Sequence, residues 1–178
     1  MISSDLWFNQ SIGSHRVDRL NMDDRRIARK GVLESDPHSA KILEHNRDLN
    51  NCKFKIEAAA LSDYPLIQKD ETTKVHESPE LPDGWSGVRT LSYKELQNMH
   101  DIKFDTLVID CEGCLAGILR QNADFLKSIK TIIVEHDDIF NSAAPQNYVR
   151  PELLKQGFHS VVHKDYGEYK CFWEVLKK

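Results

Sequence analysis

Phe104-Asp-Thr-Leu-Val-Ile-Asp-Cys-Glu-Gly113 places an apolar run, Leu107-Val108-Ile109, directly before an acid, Asp110, and follows it with a second acid, Glu112, and a glycine. A short run rich in β-branched residues suits a strand buried on both faces of a parallel sheet, and a glycine beyond it permits close backbone approach as a helix begins. The arrangement recurs on either side: Val32-Leu33 precedes Glu34, and Ile132-Ile133-Val134 precedes Glu135. Helical patterns lie between. After Asp36-Pro37, a helix start with Pro at its first position, Ala40, Ile42, Leu43 and Leu49 form an apolar stripe that ends at Asn50-Asn51. Leu115, Ile118, Leu119, Phe125 and Leu126 recur at helical spacing after Gly113. Pro151 to Gly157 reads as a short helix with Pro at its start and Gly just past its end. Alternation of this kind predicts right-handed crossovers and an open, mostly parallel α/β sheet with helices on both faces.

Two details refine that class. Phe54, Ile56 and Ala58 alternate with Lys53, Lys55 and Glu57, the pattern of a half-exposed strand at a sheet edge. Phe158 to His163 and Tyr169 to Val175 are strand-like runs whose connection is too short for a helical crossover, so they are expected to pair as a C-terminal antiparallel hairpin. Residues 64–89, carrying Pro65, Pro79, Pro82, Gly84, Trp85 and Gly87, lack clear periodicity and read as an irregular insertion and candidate acceptor-binding loop, in which Trp85 is an aromatic platform or, alternatively, packs the loop onto the core.

A chain of 178 residues, 40% of them hydrophobic, suits a single domain spanning 1–178. With 24 basic against 28 acidic residues and no basic stripe, nucleic acid is disfavoured as a partner. The longest apolar run is Ala58 to Leu61, and no basic region followed by an apolar stretch opens the chain, so a soluble cytoplasmic protein without membrane partners is expected. Cys52, Cys111, Cys114 and Cys171 are too few and scattered for a disulfide scaffold. Cys111 and Cys114 form a C-x-x-C without a second pair, and packing is the role expected of them ahead of zinc or redox chemistry.

In an open α/β sheet, ligands lie outside the carboxyl ends of the strands, where the acids named above fall. Glu34 lies 21 residues after Gly13, a spacing at which an acid accepts both hydroxyls of a ribose; the alternative is that it caps the helix beginning at Pro37. The turn Asn9-Gln-Ser-Ile-Gly13-Ser14-His15 has one glycine where a phosphate-cradling loop has three, which argues against a pyrophosphate ligand. Asp110 and Glu112 suit a cationic ligand, or cap the following helix. Glu135-His136-Asp137-Asp138 offers a general base or, with Asp110, a divalent-metal site of oxygen ligands; the metal is not favoured, and solvated loop residues are the alternative.

Several of these segments together resemble the FkbM family of S-adenosylmethionine-dependent methyltransferases. The stretch Thr90-Leu-Ser-Tyr-Lys-Glu-Leu, then Phe104 to Gly113 with its "I-D-x-E-G" turn, then Ile118-Leu119-Arg120, then Ile132-Ile-Val-Glu135 is similar to the family's ordered motifs. Upstream, Leu33-Glu-Ser-Asp-Pro37 with Leu43-Glu-His-Asn46 and Asn50 is similar to the family's "E-P-x-P…L…N…N", and Ala59-Ala60-Leu61-Ser62-Asp63 to its "aAlsD". The likeness runs from about Ile12 to Phe158. It implies a class I, Rossmann-like methyltransferase fold and methyl transfer from S-adenosyl-L-methionine to a hydroxyl of a sugar, glycan or small natural product. It implies cofactor contacts at Asn9, Gly13, Ser14, Glu34, Ser35, Ala60 and Asp110. Asp110 and Glu112 correspond to acids facing the methionine end of the cofactor and the acceptor; with His136 as a possible base they form the candidate catalytic set. Trp7 and Asn9 stand where the family has an acid and the loop's first glycine. A non-catalytic methyltransferase-like binding module, and less favourably an NAD-dependent oxidoreductase, are the alternatives.

Overall fold

The computed structural model describes residues 5–9, 30–69, 72–111, 113–136, 145–165 and 172–178. The chain is mixed α/β and forms two compact units, one of Met1–Phe8 with Lys103–Lys178, the other of Asn9–Ile102.

The unit containing the C-terminus is built on β1 (Asp5–Asn9), β9 (Thr106–Asp110), β10 (Thr131–His136), β11 (His159–Asp165) and β12 (Phe172–Lys177), in the order β11-β12-β10-β9-β1. β9 and β10 are parallel, with Leu107 opposite Ile132 and Ile109 opposite Val134. Leu107, Val108 and Ile109 are buried on both faces, as their unbroken apolar run requires. β10 departs from that expectation: Ile132, Val134 and His136 are buried while the residues between them are half-buried, so only one face is sealed. β12 runs antiparallel between β10 and β11, with His136 opposite Phe172. The expected C-terminal hairpin is therefore formed, and its second strand is the inner one.

Helix α3 (Cys114–Gln121) leaves β9 through Gly113, whose φ of 87° lies in the left-handed region open to glycine. It buries Leu115, Ala116, Ile118 and Leu119, and a 3₁₀ turn at Asp124–Lys127 buries Phe125 and Leu126. The helical spacing thus belongs to two elements. Helix α4 (Arg150–Lys155) carries Pro151 in its first turn and ends before Gly157 at φ 89°, as its sequence predicts.

The second unit contains β2 (Gly31–Glu34) parallel to β3 (Lys55–Glu57), β4 (Ala60–Leu61) parallel to β8 (Thr90–Leu91), and helices α1 (Pro37–Leu49) and α2 (Tyr93–His100). β3 closes the strand order beside β2, in keeping with its alternating sequence. α1 corrects its predicted stripe: Ala40 alone is buried, while Ile42 and Leu49 are 49% and 66% exposed. A second correction falls on 64–89. The segment folds as an antiparallel sheet of β5 (Leu66–Lys69), β6 (Thr72–Val75) and β7 (Ser86–Val88), in the order β6-β5-β7. Its turns concealed the strands, because each is three or four residues long and only Ile67 is buried. The pairings described are mixed rather than mostly parallel: β10–β12, β11–β12, β5–β6 and β5–β7 are antiparallel, against β9–β10, β2–β3 and β4–β8.

Candidate functional site

At the end of β2, Glu34 is buried, and its Oε1 accepts the Asp36 N–H at 2.9 Å. Burial disfavours the carboxylate more than that bond stabilises it, and the Asp36 charge adds repulsion, so the pKa is raised to about 7. Asp36, not Glu34, caps α1: its Oδ1 accepts the Ser39 N–H at 2.6 Å, which holds the Asp36 carboxyl below its ordinary value. The capping role considered for Glu34 is filled by its neighbour. Beside it, Ser35 is buried and its Oγ has no hydrogen-bond partner among the described residues. A buried hydroxyl without a partner costs on the order of 1–3 kcal/mol, which a ligand hydroxyl at this strand end would recover. Ala60, also buried, begins β4 in the same unit.

In the other unit, Asp110 and His136 close the neighbouring parallel strands β9 and β10 at the same end. α3 has Gly113 at its N-cap. His136 is buried, stacked on Phe172 at 4.4 Å between centroids, and its Nε2 lies 3.2 Å from Glu174 Oε2. The pair is close without being aligned as a hydrogen bond. Glu174 Oε1 accepts from Arg150 Nη2 at 3.0 Å, so a guanidinium already balances its charge. A proton on His136 would add an unbalanced charge in a buried place. Desolvation accordingly lowers its pKa; Glu174 opposes the shift, and Arg150 and His163 reinforce it. The imidazole is therefore neutral at pH 7 and a weak base.

Glu174 and Arg150 escaped the sequence reading. The signal was there: Phe172, Glu174 and Leu176 share the inward register of β12, and an acid between two core residues asks for a partner. Asn9 ends β1, while Gly13, Ser14 and Glu112 lie outside the described residues. Cys111 and Cys114 require a correction. Cys111 does pack into the core, but it is also bonded to Cys114 in a disulfide. Trp85 is half-buried and one ring face is occupied by Lys74, whose Nζ sits 4.1 Å from its centroid.

Among the described residues no three His, Cys, Asp or Glu side chains converge as a metal site, and no helix is long and apolar enough to cross a membrane. Comparison of this chain with protein-family models, with curated proteins and with solved structures finds no match.

Proposed function

We propose that this protein transfers a methyl group from S-adenosyl-L-methionine to a hydroxyl, on a sugar, glycan or small natural product, using a class I methyltransferase fold. The observation that carries the reading is the pair at the end of β2: a buried carboxyl and, next to it, a buried hydroxyl without a partner among the described residues. Such a pair fits the two hydroxyls of a ribose, which donate to Glu34 and exchange hydrogen bonds with Ser35. Two further features support it. β12 lies antiparallel between β10 and β11, in keeping with the C-terminal hairpin that the family resemblance implies. Asp110 ends β9 in the "I-D-x-E-G" turn of that resemblance.

S-adenosylmethionine would supply an electrophilic methyl group on a sulfonium. The chain's task is then alignment and exclusion of water, which can be worth about 7–11 kcal/mol when reactants are well placed. Glu34 and Ser35 hold the ribose, and ionised Glu34 is favoured once hydroxyls donate to it. The family resemblance assigns Asp110 to the methionine end of the cofactor, where a negative charge would suit the ammonium. His136, the remaining member of the candidate catalytic set, is neutral at pH 7, but burial lowers its pKa and would make it a weak base toward the acceptor hydroxyl.

Calorimetric titration of S-adenosylmethionine into the wild type and the Glu34→Ala variant tests this assignment. Loss of hydrogen bonds to a charged group should weaken binding by about 1.5–3 kcal/mol. Equal affinity for the two proteins would remove Glu34 from the site.

A further inference from the structure

We propose that Cys111 and Cys114 form a thiol–disulfide exchange site, with Cys114 the sulfur that reacts with an external thiol or disulfide and Cys111 the resolving partner. The two cysteines are bonded, with Cα atoms 5.4 Å apart. They occupy unlike surroundings. Cys111 follows the last residue of β9 and is buried, whereas Cys114 is the first residue of α3 and half-exposed. Cys114 N–H donates to the Cys111 carbonyl at 3.0 Å, so the two residues are joined through the backbone as well as through their sulfurs.

The difference in position divides the roles. Cys114, half-exposed at the first turn of α3, is the sulfur open to an external thiol or disulfide. Cys111 is buried, so an external thiol or disulfide reaches Cys114 first. In the reducing direction, an external thiolate attacks Sγ of Cys114, the Cys111–Cys114 bond breaks, and its electron pair leaves on Cys111 as a thiolate. A second external thiolate attacks the external sulfur of the mixed disulfide, releases Cys114 as a thiolate and forms the external disulfide. The two protons of the external thiols end on the protein thiols. In the reverse direction an external disulfide is the oxidant and Cys114 thiolate the attacker.

The folded wild-type chain is equilibrated in glutathione redox buffers without denaturant, quenched with acid, then alkylated in denaturant and mapped by peptide mass spectrometry so that Cys52 and Cys171 are scored separately. The expected result is that Cys111 and Cys114 become alkylated together as the buffer turns reducing, and are protected together when it turns oxidising. Single-cysteine variants assign the roles. Oxidised glutathione should leave roughly tenfold more adduct on Cys114 in Cys111→Ser than on Cys111 in Cys114→Ser. Reduction only after denaturant is added, or alkylation of both sulfurs in fully oxidising buffer, would overturn the proposal. So would equal adducts on the two variants. The wild-type titration stands by itself where a variant fails to fold.

Discussion

Glu34 spends the cost of its burial on a carboxyl held near neutrality, and that makes a sharp test possible. Its folded pKa of about 7 lies above the 4.5 of an ordinary glutamate, so the folded chain binds more protons between those values. Its stabilising contribution is complete below about pH 4.5 and is lost as pH rises through 7. The difference is worth about 3 kcal/mol. Glu34→Gln keeps an oxygen for the Asp36 N–H and removes the charge, so denaturant melts should show the variant gaining stability over wild type at pH 8 and not at pH 4. Equal curves at both values would contradict the buried assignment. His136 gives the opposite slope. Its folded pKa is lowered below the ordinary 6.5, so its contribution is present above 6.5 and is lost as pH falls toward the folded value. His136→Gln should flatten the acid limb of the stability curve, which melts between pH 4 and 7 would measure. Glu174→Ala removes the carboxylate to which Arg150 donates; because Arg150 is 37% exposed and His136 is neutral at pH 7, the loss should be about 1 kcal/mol, read by the same melts at pH 7.

The elements show which parts of the fold the sequence carries and which it hides. β9 was readable because Leu107, Val108 and Ile109 are all sealed, and burial on both faces leaves an unbroken apolar run. α4 was readable from Pro151 and Gly157, residues whose backbone limits fix a helix's ends. β5, β6 and β7 were not, since strands this short, with Ile67 as their sole buried side chain, carry no period that an eye on hydrophobicity detects. The site divides in the same way. Glu34, Asp110 and His136 stand at strand ends, a position sequence reveals; Glu174 meets His136 through strand pairing between residues far apart in the chain, which no local pattern encodes. α2 offers a check at this scale. Ser92 Oγ accepts the Glu95 N–H at 3.2 Å while Glu95 Oε2 accepts the Ser92 N–H at 2.8 Å, a closed capping box. Ser92→Ala should lower stability by about 1 kcal/mol in urea melts. An unchanged midpoint would mean that tertiary packing alone holds α2. At Gly113, an alanine would sit at φ 87° and should cost about 1–2 kcal/mol, read the same way.

For the whole molecule, the claim that matters is that the chain holds an adenosine-bearing methyl donor. Its net charge of −4 spreads over mixed signs, so the affinity proposed rests on placed groups rather than on a general field. Glu34 and Ser35 would supply the ribose contacts. Thermal unfolding of the full chain with S-adenosylhomocysteine, and separately with NAD, tests this most directly. A ligand at about 100 times its dissociation constant adds about 2.7 kcal/mol of stability, which for a chain of this size raises the midpoint by about 5–10 °C. The midpoint should rise with S-adenosylhomocysteine and stay unchanged with NAD; a rise with NAD and none with S-adenosylhomocysteine would overturn the methyl-donor assignment.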